Sequence, residues 1–260
     1  MKSLYFVAGL PRSGSTLLIN ILKQNPNIFG APVSSLCSIV NGVFTGWENI
    51  EANKEFPNDP AKKRVLKSII ENYHNTDKKI IFDKDRMWVN KIALLEEVLQ
   101  KEVKILCPVR NPAEILSSFE KMRRKHPSKL ITPDNGGSTI ASRCLYYSGA
   151  EGILGLSHAL HKDAVICGYL DKLLFVDYNK LCSTPKMQMK RIYDFFELPK
   201  FNHEFNNIEQ TEEYNDIVTG HVDLHKIRPQ LEKQTTNCIE YLGLDLYEQY
   251  NREIFWDAWV

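Results

Sequence analysis

The sequence predicts an α/β protein with a central parallel β-sheet flanked by helices. Short apolar runs alternate along the chain with segments of helical periodicity, and each apolar run leads into polar residues or a glycine loop. Strands that alternate with helices form right-handed βαβ units, in which the strands are parallel. Ligands of such sheets bind beyond the carboxyl ends of the strands, and the polar clusters of this chain fall there.

Four apolar runs are predicted as strands: residues 4–8, 79–82, 103–109 and 173–176. The first ends at Gly9 and is typical of a strand buried on both faces. A helix is predicted from Ser15 to the Asn-Pro-Asn stop at residues 25–27. Further helices are predicted over residues 92–99, 113–124, 140–160 and 186–196. Residues 30–75 and 200–235 carry fewer strand signals, so we expect surface excursions there.

Composition limits the class of protein. The 260 residues are 43% hydrophobic and 25% charged, which is typical of a soluble globular protein. The 33 Lys and Arg and 32 Asp and Glu leave a formal net charge of +1, which argues against a nucleic-acid coat or a polybasic membrane binder. A site for an anionic ligand must therefore be local. We expect one domain over residues 1–260.

The six cysteines and the hydropathy pattern bear on the compartment. The cysteines are widely spread and form no C-x-x-C pair, which indicates reduced, mostly buried thiols. No apolar stretch approaches the roughly 18 residues of a membrane span, and no secretory segment is evident at the N-terminus. We therefore expect a cytoplasmic protein.

The segment between the first strand and the first helix has the spacing of a phosphate-binding loop. Residues 9–16 read G-L-P-R-S-G-S-T, with four residues between the glycines. Such a loop directs backbone N–H groups and a helix N-terminus at an anion. A nucleoside-triphosphatase loop would have lysine where Ser15 stands. The cation here is Arg12, which can bind an oxyanion bidentately. An ordinary Gly-Pro turn is the alternative.

A second candidate anion-binding element follows the third predicted strand. Arg110 stands at the strand end, Pro112 suits the first turn of a helix, and Glu114 suits the N-terminal dipole. Ser118 lies about two turns along that helix, so its side chain and that of Arg110 could converge on one phosphate beside the first loop. A strand-end salt bridge for Arg110 and a helix-surface position for Ser118 are the alternatives.

Together these elements resemble the motifs of the PAPS-dependent sulfotransferase family. Residues 11–16 resemble its 5′-phosphosulfate loop, and R-N-P-x-E-x-x-x-S from Arg110 to Ser118 resembles its 3′-phosphate motif. Residues 176–185 resemble the family's segment after a late strand. Arg12 and Lys84 make the chain more similar to the tyrosylprotein, glycan, bacterial and phage-type branches than to the cytosolic steroid and phenol branch. The resemblance covers residues 4–198, and residues 220–231 are a candidate extension of it.

The resemblance implies a P-loop-like nucleotide-binding fold and transfer of a sulfuryl group from 3′-phosphoadenosine 5′-phosphosulfate (PAPS) to an acceptor hydroxyl or amine. The product would be adenosine 3′,5′-bisphosphate (PAP), with no metal required. Arg12 and Lys84 are implied to be catalytic, with Lys84 offsetting charge on the leaving phosphate. The residues implied to bind the cofactor are Pro11, Arg12, Ser13, Gly14, Ser15, Thr16, Arg110, Ser118, Tyr178 and, in a late basic segment, Lys226 and Arg228.

The general base is the weakest part of this interpretation. One branch of the family has a glutamate after its first helix, but residues 30–35 contain no carboxylate. Another branch has a histidine two residues beyond its lysine, where this chain has Arg86. Asp85 is our candidate, with Asp83 beside it. Ser34 and Ser35 are candidates for the acceptor pocket.

Two other functions stay open. A P-loop kinase is one, although Ser15 in place of lysine and the lack of a clear magnesium carboxylate other than Asp177 count against it. A nucleotide-binding module that has lost its base is the other. His221 and His225 have the spacing of two metal ligands, but no third ligand is evident.

The sequence leaves the acceptor open among small molecules, glycans and peptides, and it leaves the oligomeric state open. It indicates neither a nucleic-acid nor a membrane partner. Residues 121–129 form either a solvated helix end or a basic rim for an anion. The aromatic residues Trp47, Trp88, Tyr146 and Tyr147 are candidates for either an acceptor pocket or the core. Because the first predicted strand starts at Leu4, we expect a bacterial or viral enzyme without a Golgi anchor.

Overall fold

Five parallel strands form one sheet at the centre of the described part of the chain. A computed structural model describes residues 2–125, 137–210, 216, 225–232, 237–252 and 254–260. The strands are β1 (Ser3–Val7), β2 (Ile28–Ala31), β3 (Ile80–Lys84), β4 (Ile105–Val109) and β5 (Leu173–Asp177). Their order across the sheet is β2-β3-β1-β4-β5. The predicted α/β class with a central parallel sheet is confirmed.

Helices cover both faces of this sheet. The first six are α1 (Ser15–Leu22), α2 (Leu36–Gly46), α3 (Glu51–Glu55), α4 (Asp59–Asn72), α5 (Ile92–Leu99) and α6 (Pro112–Lys125). The next six are α7 (Ile140–Ser148), α8 (Ile153–Ile166), α9 (Tyr178–Ser183), α10 (Pro185–Phe195), α11 (Cys238–Leu242) and α12 (Leu244–Tyr250). Short 3-10 turns lie at Trp47–Asn49, Arg86–Lys91, Leu170–Lys172 and Asp257–Trp259.

β1 lies in the middle of the sheet. Val7 pairs with Lys84 of β3 and with Leu106 of β4, and Val109 pairs with Asp177 of β5. The segments that follow these strands therefore leave the same edge of the sheet. The chain passes from β1 to β2 and β3 on one side and later to β4 and β5 on the other. This reversal of direction is where ligands bind in open parallel sheets.

The two faces of the sheet belong to two hydrophobic cores. Phe6 and Ala8 pack with Trp88 and with residues of α2, α4, α5, α6 and α8. Val7 points to the opposite face and packs with residues of α1 and α10. Every residue of β4 is buried, as expected for a central strand covered on both faces. All six cysteines are free thiols, of which Cys37, Cys107, Cys144 and Cys238 are buried.

The helix predicted over residues 140–160 is wrong, because the chain forms two helices, α7 and α8, with a turn at residues 149–152. The turn brings backbone carbonyls against the start of α8. A Cβ at Gly152 would collide with the carbonyl oxygens of Tyr146 and Tyr147, and one at Gly155 with that of Gly149. The apolar spacing continues across the turn, so periodicity alone does not reveal it.

An edge strand that the sequence did not predict, β2, overlaps the start of the excursion predicted at residues 30–75. β2 pairs with β3 and buries Ile28 and Ala31. It is short and contains Gly30, a poor strand former. Glycine fits there because α1 packs closely: a Cβ at Gly30 would lie 2.7 Å from Cγ2 of Ile19. In the excursion predicted at residues 200–235, residues 211–215, 217–224 and 233–236 lie outside the described ranges.

Candidate active site

The loop after β1 folds against β4 and leads into α1. The N–H of Leu10 donates to the carbonyl oxygen of Pro108 at 2.9 Å, which extends the sheet ladder beyond the strand. A Cβ at Gly9 would lie 2.9 Å from the same oxygen. Arg12 and Gly14 have φ values of 57° and 81°, and α1 begins one residue later. The N–H groups at a helix N-terminus favour a bound anion.

A hydrogen bond joins Arg12 to Ser118, which the sequence placed in separate motifs. Nε of Arg12 donates to Oγ of Ser118 at 3.2 Å. Burial lowers the pKa of the Arg12 guanidinium, and the positive charge of Arg110 lowers it further. A bound anion would relieve the repulsion between the half-buried Arg12 and the buried Arg110. This part of the molecule therefore has the electrostatics of an anion site.

Arg110 lies directly beyond β4 and is nearly inaccessible to solvent. Its Nε donates to Oε2 of Glu114 at 2.8 Å, and its Nη1 donates to the carbonyl oxygen of Arg12 at 3.3 Å. Its guanidinium lies 4.4 Å from the centroid of the Tyr178 ring. That ring also covers Gly14, where a Cβ would lie 2.7 Å from Cδ2. A salt bridge is thus present at the strand end, and it holds the guanidinium beside the loop.

Lys84 and Asp85 stand at the carboxyl end of β3. Lys84 lies at the strand end where the sequence predicted it, because β3 continues two residues beyond the predicted end at residue 82. Burial lowers its pKa to about 8, with a further contribution from the charge of Arg86. Oδ1 of Asp85 accepts the N–H of Met87 at 2.8 Å and caps the 3-10 turn that follows. Burial raises the pKa of the Asp85 carboxyl.

The late basic segment reaches the same place. Lys226, Arg228 and His225 line the same cavity as Arg12, Lys84 and Arg110. Nδ1 of His225 lies 2.5 Å from Oδ1 of Asp216, and its backbone N–H donates to Oδ2 at 2.9 Å. His221, the other half of the proposed metal-ligand pair, lies outside the described residues. Among the residues that are described, no three His, Cys, Asp or Glu are grouped so as to hold a metal.

These groups meet in one cavity of about 770 Å³. The predicted site residues that line it are Pro11, Arg12, Gly14, Ser15, Thr16, Lys84, Asp85, Arg110, Ser118, Tyr178, Lys226 and Arg228. Ser13 does not line it, because its hydroxyl donates to the carbonyl of Leu10 at 2.6 Å inside the loop. Lys121 and Lys125 of α6 also line the cavity. Residues 126–129 of the possible basic rim lie outside the described ranges.

The sequence profile of the sulfotransferase family matches residues 5–203. The chain belongs to the sulfotransferase family. The matched span runs from β1 to beyond α10 and includes both candidate anion-binding elements. No curated protein sequence matches this sulfotransferase significantly.

Several solved sulfotransferase structures share the fold. The sulfotransferase domain from the curacin biosynthetic pathway is 18% identical, with 98% of this chain and 93% of that chain covered and a TM-score of 0.52. STF9 from Mycobacterium avium is 12% identical, with coverage of 96% and 75% and a TM-score of 0.52. STF1 from Mycobacterium tuberculosis H37Rv is 12% identical, with coverage of 98% and 77% and a TM-score of 0.50. These similarities establish the fold of this sulfotransferase.

Asp83, the neighbour of the candidate base, belongs to a buried network in this sulfotransferase. Its carboxylate accepts Nε1–H of Trp88 at 2.6 Å and Oγ–H of Ser34 at 2.5 Å, and Nε2 of His74 lies 2.7 Å away. The side chain is inaccessible to solvent, so it does not face a ligand in the cavity. Asp85 does line the cavity, and its role as the base stays a prediction.

Of the residues considered for an acceptor pocket, Ser34 alone lines the cavity. Ser34 lines the cavity, next to Pro32 and Val33. Ser35 instead lies at the surface, where its hydroxyl is 2.7 Å from that of Tyr73. The four aromatic candidates do not line the cavity: Trp47, Trp88, Tyr146 and Tyr147. Within the described ranges, no helix combines the length and the apolar character that spanning a membrane requires.

Asp216 and His225 form a pair that no sequence pattern predicted. The late segment has no clear periodicity that would place the two side chains together. The available signal was a histidine directly before the predicted cofactor-binding Lys226. One histidine does not by itself predict a pair, because its partner Asp216 is identified only by the fold.

Proposed function

We propose that this sulfotransferase transfers a sulfuryl group from PAPS to an acceptor hydroxyl or amine. The observation that carries the proposal is the convergence of Arg12, Arg110 and Lys84 on one cavity beside the N-terminus of α1. Two phosphate-bearing ends of PAPS require two sets of cations, which these residues would supply. The cavity is also large enough for a nucleotide and part of an acceptor.

Each candidate residue has a distinct role in this proposal. The loop over residues 11–16, with Arg12, would bind the 5′-phosphosulfate. Arg110 and Ser118 would bind the 3′-phosphate, with help from Lys226 and Arg228 of the late segment. Tyr178 would contact the adenine region. PAPS itself supplies the activated sulfuryl group, so the protein's contribution is positioning and charge stabilisation.

Lys84 is the proposed source of charge stabilisation for the leaving phosphate. It ends β3, and its backbone pairing with Val7 fixes it beside the phosphate loop. An ammonium group there offsets the negative charge that develops on the bridging oxygen when the sulfur–oxygen bond breaks. The reduced dielectric of a partly buried site strengthens that interaction.

The test of the proposed function is PAP binding and sulfuryl transfer. Calorimetry with PAP in the absence of magnesium should show binding, and labelled PAPS should pass its sulfuryl group to a member of a phenol, sugar and tyrosyl-peptide panel. Magnesium-dependent ATP turnover without PAP binding would instead support the kinase. PAP binding with neither sulfuryl transfer nor sulfate release would support a nucleotide-binding module without catalytic activity.

Two substitutions separate binding from catalysis. Arg110→Ala should weaken PAP binding about 10- to 100-fold, because it removes charge-assisted hydrogen bonds. Lys84→Ala should lower turnover about 10²- to 10³-fold and leave PAP affinity nearly unchanged. Lys79→Ala is the matched control, since Lys79 is exposed and directly precedes β3, at the end of the strand opposite to Lys84. Equal losses of affinity in the two site variants would contradict the separate roles.

A further inference from the structure

A carboxylate–imidazole pair stands at the cavity wall. Nδ1 of His225 is 2.5 Å from Oδ1 of Asp216, and the backbone N–H of His225 binds the second carboxylate oxygen at 2.9 Å. Asp216 is 9% exposed, so its charge is largely shielded from water. The two contacts orient the imidazole through both its ring and its backbone. His225 lines the same cavity as Lys84 and Arg12.

The contact with Asp216 selects the imidazole tautomer. A carboxylate accepts a hydrogen bond from Nδ1–H, so the basic lone pair of the neutral ring is on Nε2. A carboxylate in this position also stabilises the imidazolium that forms when Nε2 takes a proton. The pair therefore has the parts of a general base and its orienting group.

The charged groups around His225 act in opposite directions. Burial lowers the pKa of His225, and the positive charges of Lys84 and Arg12 lower it as well, whereas Asp216 raises it. The net direction is downward, so the ring is mostly neutral near pH 7 and can accept a proton.

The neighbouring carboxylates are less suited to this task. Asp83 is buried and bound to Trp88, Ser34 and His74. Asp85 lines the cavity, but its Oδ1 caps the turn that begins at Arg86. In the described part of the chain, Asp83 is held inside the core and Asp85 by a turn N–H, whereas Asp216 orients His225 at the cavity wall.

We propose that His225, oriented by Asp216, is the general base that deprotonates the acceptor, an inference that rests on the proposed function. The acceptor oxygen forms a bond to sulfur as the bond from sulfur to the 5′-phosphate oxygen breaks. The acceptor proton passes to Nε2 of His225. The electron pair of the broken bond stays on the phosphate oxygen of PAP, beside the ammonium of Lys84. His225 then releases its proton to solvent.

The test measures sulfate release from labelled PAPS, with water as the acceptor, and transfer to whichever panel acceptor the wild-type protein uses. His225→Ala should lower both rates about 10²-fold or more, since general-base catalysis contributes at least that much. PAP affinity by calorimetry should stay within about threefold of wild type, and added imidazole should restore part of the lost rate. His158→Gln is the control, because His158 packs against Phe255 and Trp256 away from the cavity.

The Asp216→Asn variant tests the orienting role. Loss of the carboxylate lowers the pKa of His225, so the acidic limb of the kcat/KM profile should move to lower pH while the rate falls. A His225→Ala variant as active as wild type, or one that loses PAP binding, would overturn the assignment and leave the proposed function standing. A wild-type protein that neither binds PAP nor cleaves PAPS would overturn both.

Discussion

The cations of the cavity respond differently to pH. Burial lowers the pKa of Arg12, but a guanidinium starts from so high a value that it stays charged. The Lys84 ammonium has a pKa of about 8, because burial and Arg86 both disfavour its charged form. Lys84 is therefore charged below about pH 8 and becomes neutral above it. Of Arg12 and Lys84, only Lys84 can therefore lose its charge at moderately alkaline pH.

This difference predicts an alkaline limb in the pH profile. The value of kcat/KM for PAPS should fall above about pH 8, because it follows the charge of Lys84 in the free enzyme. Lys84→Arg should keep part of the activity and lose that limb, since arginine remains charged. Rates measured from pH 6 to 10 test this prediction. An alkaline limb that persists unchanged in Lys84→Arg would assign the titration to another group.

The two acidic residues near the carboxyl end of β3, Asp83 and Asp85, have different environments. Asp83 and Asp85 are two positions apart in an extended chain, which normally places them on one face. β3 ends between them, and Asp85 becomes the cap of a 3-10 turn. Asp83 therefore stays in the core while Asp85 reaches the cavity.

At the scale of elements, the turn between α7 and α8 depends on close backbone contact. α6, which carries Ser118, is joined to α7 by a buried ion pair in which Arg143 donates two hydrogen bonds of 2.7 Å to Glu120. α8 in turn follows the turn at residues 149–152 and supplies Ile153 to the cavity wall. The close backbone contacts of Gly152 and Gly155 lie at the start of α8, the helix that carries Ile153.

This close contact predicts that Gly155→Ala destabilises the protein. The added Cβ would meet the backbone carbonyls of Gly149 and Ser148, which cannot move without opening the turn. We expect a loss of about 1–3 kcal/mol in the free energy of unfolding, as for overpacked sites. Urea unfolding followed by circular dichroism measures it.

Gly42→Ala is the matched control for this element. Gly42 lies inside α2, and a Cβ there would meet nothing within 4 Å. Alanine should stabilise that helix by about 0.5–1 kcal/mol, because it loses less backbone entropy on folding. If both alanine variants changed stability equally, the close contact at Gly155 would not be the cause.

At the scale of the whole molecule, a net charge of +1 conceals a strongly basic cavity. The cations that line it are Arg12, Lys84, Arg86, Arg110, Lys121, Lys125, Lys226 and Arg228, and the carboxylates are Asp85 and Glu232. A cleft of one sign concentrates oppositely charged ligands even when the molecule as a whole is nearly neutral. The cavity is therefore the local basic site that the near-neutral net charge led us to expect.

The C-terminal segment is part of the core, although the family match ends at residue 203. Trp256 is fully buried among residues of the first core, and the carbonyl of Trp259 accepts Nη2–H of Arg191 at 2.9 Å. The carbonyl of Val260 accepts Nζ–H of Lys180 at 2.9 Å. These contacts tie the last residues to α9 and α10 behind the site.

We therefore predict that Trp256→Ala costs about 3–5 kcal/mol of stability, as for other buried large aromatic residues. A lower urea midpoint with an unchanged m-value would show this loss. Phe56→Ala is the control, since that ring is 76% exposed and its removal should change stability by no more than about 0.5 kcal/mol. An unaffected midpoint in Trp256→Ala would show that the segment does not contribute to the core.

The amino-acid sequence by itself determined the fold class, four of the strands and the candidate anion-binding loop. These features depend on local patterns: apolar runs, helical spacing, and the glycines, proline and arginine between Gly9 and Thr16. The resemblance of the two motifs to sulfotransferases was sufficient to predict the family. The missed strand β2 and the break between α7 and α8 depend instead on close packing against other elements.

Only the tertiary structure decided which candidate side chains face one another. The contact between Arg12 and Ser118 spans 106 positions, and the position of Lys84 beside Val7 depends on strand order. The burial of Asp83 and the pairing of Asp216 with His225 have no local signature. Side-chain direction at these positions is determined by which elements pack together, because long-range contacts do not follow from the spacing of residues along the chain.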